Sequence, residues 1–310
     1  MITSIVLSAF SLTILSVLLC QKVFIKNNLF DKINLRSSHK SIATRSGGLS
    51  LFCVLIIVSI FFYLNGTLLY DYSILVPLSI LFCVGLYDDA YDVDFKLKFI
   101  FQIIVAKIII DSGLVIDNLH GVFSIFEINR IAAQILTIFI IISIINAINF
   151  IDGIDGLAIS ISLLFIFLFE FFSISKTDFY NLSLIISVSI LPLYYFNFRK
   201  KNKVFLGDSG SYLLGGIISI YVLYILSQDY IIKPEYDIHK ILFVISILLY
   251  PIIDIIRIFI KRVYLGKSPF IADKNHIHHL ILDKVKSHFN VVTILLIISI
   301  LIMILFQFLF

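Results

Sequence analysis

Residues 146–157, Asn-Ala-Ile-Asn-Phe-Ile-Asp-Gly-Ile-Asp-Gly-Leu, place two acids and two amides in an otherwise apolar part of the chain. Asp152 and Asp155 are three residues apart, and Asn149 precedes Asp152 by the same interval. If the stretch is helical, this spacing puts the three side chains on one face. The glycine after each aspartate would let a ligand approach closely. The pattern favours a polar site, and a short polar turn between two buried helices is the alternative.

A second acidic pair, Asp88-Asp89, ends an apolar stretch and is followed by Lys96 and Lys98. Adjacent carboxylates disfavour each other's ionised form and attract cations. The two lysines could bind anionic oxygens, and a solvated acidic loop is the alternative interpretation. A single acid, Asp208, stands in Phe-Leu-Gly-Asp-Ser-Gly at the start of an apolar stretch. There an ordinary helix N-cap is the alternative to a functional role.

Three imidazoles lie within four residues, at His276, His278 and His279. Their density suggests zinc, but no cysteine or carboxylate completes an obvious site. The rings could instead bind phosphate or sugar, and a chance histidine-rich loop is the alternative. Arg45 precedes a glycine pair that opens an apolar stretch, a pattern typical of a phosphate site. A basic anchor on the cytoplasmic side explains Arg45 equally well.

These clusters indicate one kind of chemistry when they are taken together. Carboxylates with an asparagine suit Mg²⁺ and phosphates better than they suit a transition metal. Lysines, an arginine and histidines suit a nucleotide diphosphate. The reaction that fits is phosphoryl transfer, in which positioning and charge neutralisation supply most of the rate enhancement.

The composition determines where such a site must be built. The chain has 310 residues, of which 60% are hydrophobic and 14% charged, and its mean hydropathy is +1.07. Soluble domains carry roughly 25% charged residues. Apolar runs of about 20 residues recur along the chain, as in polytopic α-helical membrane proteins. Cys20, Cys53 and Cys83 lie inside apolar runs and show no disulfide or metal spacing.

Ten membrane spans are predicted, at about 2–24, 47–64, 73–87, 97–111, 130–148, 157–175, 181–197, 210–227, 239–260 and 291–310. With this count, 19 of the 24 Lys and Arg residues fall on one face, together with every polar cluster described above. Positive residues mark the cytoplasmic side, so both termini are expected outside. On the ninth span, the i, i+3 spacing of Asp254 and Arg257 indicates an ion pair, and a direct role in the site is an equally good interpretation.

In their order and together, these motifs resemble those of the polyprenyl-phosphate N-acetylhexosamine-1-phosphate transferases, glycosyltransferase family 4, in the WecA/TagO-like branch. The residues that carry the resemblance are Asp88-Asp89, Asn149 with Asp152 and Asp155, Phe205 to Gly210, Lys267-Ser-Pro-Phe, and His276-Ile-His-His. The chain departs from many relatives before Arg45, where they have prolines and it has Ile42-Ala43-Thr44.

The resemblance implies a role for each matching residue. The implied catalytic acids are Asp88, Asp89 and Asp152, of which Asp88 or Asp89 engages the acceptor phosphate as a base or as a positioning group. The implied magnesium ligand is Asp208, with Asn149 nearby, and Mn²⁺ is an alternative ion. The implied substrate-binding residues are Asp155 and Phe205 at the uracil, Lys98 and Lys96 at phosphate, and His276, His278, His279 and Arg45 at the diphosphate or sugar.

The implied reaction moves HexNAc-1-phosphate, expected to be GlcNAc-1-phosphate, from a UDP-sugar to polyprenyl (undecaprenyl) phosphate and releases UMP. The product would start a lipid-linked glycan of the cell envelope. The expected fold is an all-α polytopic membrane protein forming one transferase domain over residues 1–310. The expected location is the bacterial inner membrane, with the active site in the cytoplasm.

Three other functions stay open on the sequence alone: a phospho-MurNAc-pentapeptide transferase, an ion-coupled transporter and a membrane scaffold without chemistry. A transporter would place charges near mid-membrane and show an inverted repeat. The expected partners are the UDP-HexNAc donor, the polyprenyl phosphate acceptor and the lipid bilayer, with no nucleic acid. The sequence leaves a homodimer open.

Overall fold

The computed structural model of the protein describes residues 2–30, 43–91, 93–227, 230–233, 235, 239–266 and 275–309, which are helical apart from turns and one pair of short strands. In chain order the elements are α1 (Ile2–Lys26), β1 (Ala43–Thr44), α2 (Gly47–Leu64), α3 (Leu75–Tyr91), α4 (Phe95–Asp111), α5 (Arg130–Ile151), α6 (Leu157–Phe172), α7 (Tyr180–Phe198), β2 (Lys203–Val204), α8 (Gly207–Ser227), α9 (Lys240–Tyr264), α10 (Ile277–Val285) and α11 (His288–Leu309).

Eight helices among the described residues are long and apolar enough to cross a membrane. They are Ile5–Lys26, Gly47–Leu64, Tyr72–Tyr91, Arg130–Ile151, Tyr180–Phe198, Gly207–Ser227, Lys240–Tyr264 and His288–Gln307. The predicted spans at 97–111 and 157–175 correspond to the shorter helices α4 and α6, of 17 and 16 residues. The prediction of an all-α polytopic membrane protein is confirmed. The short helix α10 was not predicted.

The chain folds into two compact units, each made of two separate segments. The first unit comprises Met1–Asp94 and Thr177–Leu214, and the second comprises Phe95–Lys176 and Gly215–Phe310. Helix α8 therefore begins in the first unit and ends in the second. The single transferase domain over residues 1–310 stays a prediction.

In the first unit, the parallel strands β1 and β2 fix where α2 and α8 begin. The Gly47 N–H donates to the Phe205 carbonyl at 3.0 Å. The Gly48 N–H donates to the Leu206 carbonyl at 2.8 Å. A Cβ on Gly48 would lie 2.1 Å from the Gly210 nitrogen, so this approach of α2 to α8 requires glycine. The loops before the two helices are thereby held side by side.

In the second unit, the polar stretch that opened the sequence analysis is a turn between α5 and α6. Helix α5 ends at Ile151, and the Asp152 backbone N–H donates to the Asn149 carbonyl at 3.2 Å. Gly156 has a left-handed φ of 74° directly before α6, a conformation that favours glycine. The backbone here is therefore a short turn between two helices and not a continuous helix, because α5 ends at Ile151, before both aspartates. Asn149 lies on the last turn of α5, and both aspartates lie on the turn.

Candidate functional site

In the first unit, the paired acids belong to the last turns of α3. Asp88 is 2% exposed, and its Oδ1 accepts the Val93 N–H at 2.7 Å. The alternative of a solvated acidic loop is therefore wrong for Asp88. The helix continues past both acids to Tyr91 and holds their side chains against the interior of the first unit.

Asp89 caps the beginning of α8 from a different helix. Its Oδ1 accepts the Asp208 N–H at 2.9 Å. Its Oδ2 accepts the Ser209 N–H at 3.0 Å and the Ser209 hydroxyl at 2.8 Å. The first N–H groups of a helix lack partners within the helix, and here one carboxylate supplies them. The N-cap interpretation of Asp208 is therefore wrong: Asp208 lies in the first turn of α8 and is itself held by Asp89.

Gly207, the first residue of α8, makes room for this arrangement. Its φ is +76°, and a Cβ there would lie 2.7 Å from Asp89 Oδ2 and 3.1 Å from the Arg45 Cβ. Arg45 and Phe205 are half-buried nearby in the same unit, and the Lys203 ammonium lies 5.3 Å from the centre of the Phe205 ring. The glycine pair after Arg45 does not offer its N–H groups to a phosphate, because both donate to backbone carbonyls.

In the second unit, the turn between α5 and α6 faces a histidine that the sequence analysis did not select. His288 Nδ1 lies 2.9 Å from Asp155 Oδ2 and 3.1 Å from the Asp155 backbone nitrogen. His288 is the first residue of α11. The sequence signal for His288 was its position: it is a polar residue at the start of an apolar span, on the predicted cytoplasmic side, where the other polar clusters also lie.

The histidine segment packs on the same turn. A Cβ on Gly153 would lie 3.2 Å from His279 Nε2 and 3.5 Å from His278 Nε2. The His276 ring lies 5.6 Å from the Phe150 ring, between centroids, at the end of α5. The three predicted histidines are thus brought to the Asp152–Gly156 turn. A chance histidine-rich loop does not explain this packing.

Side chains of helix α9 contact two of these rings, those of His276 and His278, at their Nδ1 atoms. Asp254 Oδ2 lies 2.9 Å from His276 Nδ1, and the Tyr250 hydroxyl lies 2.9 Å from His278 Nδ1. Asp254 Oδ1 also accepts a hydrogen bond from Arg257 Nη2 at 2.8 Å, which confirms the predicted pair. Tyr250 was missed, although its i, i+4 spacing to Asp254 was a signal that they share a face.

Burial makes His278 unlike the other two histidines. Its side chain is 0% exposed, and Nε2 has no hydrogen-bond partner within the described part of the chain. Desolvation, together with the charges of His279 and His276, lowers the pKa of His278 to about 3, although Asp254 acts in the opposite direction. His278 is therefore neutral at physiological pH and cannot bind an anion as a cation.

Lys96 and Lys98 lie in the first turn of α4, in the second unit. Lys96 is exposed and Lys98 is half-buried. Residues two apart on a helix project to opposite sides, so the two ammonium groups do not form one contact surface. The structure thus separates two lysines that the sequence placed in one cluster.

The predicted site residues fall into two groups. Those in the first unit are Arg45, Asp88, Asp89, Phe205 and Asp208. Those in the second unit are Lys96, Lys98, Asn149, Asp152, Asp155, His276, His278 and His279. The predicted magnesium ligands Asp208 and Asn149 lie in different units, and their joint role stays a prediction. The motif Lys267-Ser-Pro-Phe lies outside the described residues.

A metal ion held by protein ligands alone needs several His, Cys, Asp or Glu side chains close together. Within residues 43–91, 93–227 and 275–309 and the other described segments, no group of three or more His, Cys, Asp or Glu could hold a metal ion. The described residues therefore give no support to zinc binding by the three histidines. Mg²⁺ makes a smaller demand, because one or two carboxylates commonly hold it together with waters and substrate phosphates. The half-buried Asp208 fits that demand.

Comparison with known proteins identifies the family. Residues 72–226 match the family model for glycosyl transferase family 4. The undecaprenyl-phosphate alpha-N-acetylglucosaminyl 1-phosphate transferase of Haemophilus influenzae is 36% identical over 266 residues, 81% of this chain and 71% of the relative. The protein of that name from Pasteurella multocida is 36% identical over 289 residues, which is 86% of this chain and 75% of the relative.

A relative from a different bacterial group agrees with these two. The probable undecaprenyl-phosphate N-acetylglucosaminyl 1-phosphate transferase of Bacillus subtilis is 32% identical over 291 residues, 90% of this chain and 78% of the relative. The resemblance drawn from the ordered motifs is confirmed, because the family match includes the paired acids, the Asp152 turn and the start of α8. The chain belongs to glycosyl transferase family 4.

Proposed function

We propose that this protein transfers GlcNAc-1-phosphate from UDP-GlcNAc to undecaprenyl phosphate and releases UMP. The observation that carries the proposal is the name shared by relatives that align with 81–90% of this chain. The acids, basic residues and histidines of the two units suit this chemistry, which needs anionic oxygens to be neutralised and held in line. The product would start a lipid-linked glycan of the cell envelope.

Asp208 is the residue proposed to bind Mg²⁺, with Asn149 as its predicted partner. When bound, the ion would neutralise the diphosphate and the leaving UMP. Among the acids of the first unit, Asp89 is occupied by three donors from α8 and Asp88 is almost fully buried. Asp208 is half-buried in the first turn of α8, where the partial positive charge of the helix N-terminus favours its ionised carboxylate. These differences support Asp208 over Asp88 and Asp89 as the metal ligand.

The donor is proposed to be UDP-GlcNAc and not a peptide-bearing sugar. The names of the relatives support this choice, and so does the His-Ile-His-His form of residues 276–279. Asp155 and Phe205 are proposed at the uracil, and Arg45, Lys98 and the histidines at anionic or sugar oxygens. Asp152 is proposed as a catalytic acid, since its carboxyl lies on the turn where the histidines pack.

The proposed location is the bacterial inner membrane, with the active site in the cytoplasm and both termini outside. The uneven distribution of Lys and Arg supports this orientation. The orientation requires α4 and α6 to cross the membrane. If neither crossed, the Asp152 turn would lie on the face opposite Asp88 and Asp208.

Cysteine labelling tests this topology in a variant whose three native cysteines are replaced by alanine. A membrane-impermeant maleimide should label cysteines at the exposed positions Thr67 and Lys176 in intact cells. It should label cysteines at the exposed positions Asp94 and Asn202 only after the membrane is permeabilised. Labelling of position 94 or 202 in intact cells would contradict the proposed orientation.

A donor screen tests the function. Purified protein with undecaprenyl phosphate and Mg²⁺ receives UDP-GlcNAc, UDP-GalNAc or the UDP-MurNAc-pentapeptide, and UMP and the lipid product are measured by mass spectrometry. UDP-GlcNAc should support turnover, and omission of the acceptor should abolish it. Turnover with the pentapeptide donor and none with UDP-GlcNAc would refute the proposed donor. UDP-GlcNAc uptake into sealed vesicles without UMP release would indicate a transporter.

A further inference from the structure

One face of α9 contacts the histidine segment at two points. Tyr250, Asp254 and Arg257 share this face through their i, i+4, i+7 spacing. Asp254 faces Nδ1 of His276, and Tyr250 faces Nδ1 of His278, each at 2.9 Å. The two nitrogens of an imidazole point away from each other. Both rings therefore direct Nδ1 to α9 and Nε2 away from it.

The partners of Asp254 determine where His276 carries its proton. The carboxylate accepts hydrogen bonds from Arg257 Nη2 at 2.8 Å and from the Ile277 N–H at 3.0 Å. It acts as an acceptor toward both, so the 2.9 Å contact with His276 requires a proton on Nδ1. A carboxylate behind an imidazole fixes which ring nitrogen carries the proton. The Nε2 atom of His276 then carries a lone pair that can take a second proton.

Tyr250 places the proton of His278 on the other ring nitrogen, Nε2. A phenol is a stronger hydrogen-bond donor than a neutral imidazole N–H, and an imidazole lone pair is the stronger acceptor. The Tyr250 hydroxyl therefore donates to Nδ1, which leaves the proton of His278 on Nε2. Asp254 Oδ2 is 3.8 Å from His278 Nδ1, too far to accept a hydrogen bond in competition. The stacked rings of His276 and His278, 5.3 Å apart, thus differ in protonation.

We infer that Asp254 and Tyr250 are positioning residues that give these two neighbouring histidines different tasks. Asp254 prepares His276 to take a proton at Nε2 and hold an anionic oxygen, whereas Tyr250 keeps His278 a neutral support for the segment. This inference rests on the proposed function for the identity of the anion, a diphosphate oxygen of the donor. The packing of His276 against Phe150, two residues before Asp152, is consistent with that task.

Nitrogen NMR of the wild-type protein in lipid bilayers tests the proton assignment directly. With ¹⁵N-labelled histidine, His276→Asn and His278→Asn difference spectra assign the signals of the two rings. The expected result at pH 7 is a protonated Nδ1 for His276 and a protonated Nε2 with a bare Nδ1 for His278. A bare Nδ1 on His276, or a protonated Nδ1 on His278, would overturn the inference.

Kinetics test the positioning role of Asp254. Asp254→Asn should lower kcat for UMP release at least about tenfold, as loss of such an orienting carboxylate commonly does, with KM changed less than about threefold. Ser246→Ala is the matched control. It removes another buried polar side chain of α9, whose hydroxyl bonds only the Phe243 carbonyl among the described residues, and should stay within about twofold of wild type.

The possible outcomes separate this inference from the proposed function. A folded Asp254→Asn variant with wild-type kcat would overturn the positioning role. If that variant does not fold, the wild-type NMR assignment decides. If wild-type protein releases no UMP from UDP-GlcNAc, the proposed function fails, and the NMR spectra still test the two proton assignments independently.

Discussion

The cap that Asp89 supplies to α8 predicts a loss of stability when its charge is removed. Asp89→Asn leaves one acceptor oxygen and places an amide NH₂ where the second carboxylate oxygen accepted the Ser209 N–H at 3.0 Å. A buried donor left without an acceptor costs about 1–3 kcal/mol, and a lost negative charge at a helix N-terminus costs about 1 kcal/mol. The expected total is about 2–4 kcal/mol, or roughly 3–6 °C in the thermal midpoint of a chain of this length.

Thermal unfolding of the detergent-solubilised protein measures this effect, with UMP release measured alongside. Asp88→Asn is a matched comparison, because an asparagine oxygen can still accept the Val93 N–H, and its midpoint should stay within about 1 °C of wild type. Asp94→Asn makes the same chemical change at an exposed position and should have no effect. An Asp89→Asn protein with a wild-type midpoint and no activity would refute the capping role and leave Asp89 a purely catalytic acid.

Three further predictions follow from the two units. Asp208→Asn should cut turnover at least about 100-fold, roughly 2.7 kcal/mol of barrier, while the thermal midpoint is unchanged; a near wild-type rate with unchanged Mg²⁺ dependence would move the metal elsewhere. Gly48→Ala should destabilise the protein by about 3 kcal/mol or more, because its Cβ would meet the Gly210 nitrogen at 2.1 Å, and a wild-type thermal midpoint would contradict that crowding. His288→Gln should weaken uridine nucleotide binding about tenfold in equilibrium dialysis, since His288 positions Asp155; unchanged affinity would assign His288 to the fold alone.

The sequence predicted what depends on local pattern. Apolar runs located the ten described helices that have 16 residues or more. The ordered motifs indicated the family from the sequence alone. The predicted span ended at residue 148 and α5 ends at Ile151, but the conformation of residues 152–156 stayed open, because the spacing of Asp152 and Asp155 suits a helix as well as a turn. Only the glycine in the left-handed conformation before α6 distinguishes them.

Side-chain roles that depend on contacts with distant parts of the chain could not be predicted from the local sequence pattern. Asp89 caps a helix that begins more than a hundred residues later, so its neighbours in sequence gave no sign of the bond. The sequence signals for Tyr250 and His288 were weak. Tyr250 shares a helix face with Asp254, and His288 begins an apolar helix, but neither position shows which distant side chain it contacts. The burial of His278 was equally invisible, since the three histidines look alike in sequence.

The central claim is that the group transferred to the lipid includes the sugar-bound phosphate. The most direct test uses UDP-GlcNAc labelled with ³²P at that phosphate, with purified protein, undecaprenyl phosphate and Mg²⁺. The account predicts that the label moves into the lipid phase in step with the release of unlabelled UMP. Transfer of the sugar alone, with the label remaining in water as UDP, would contradict it.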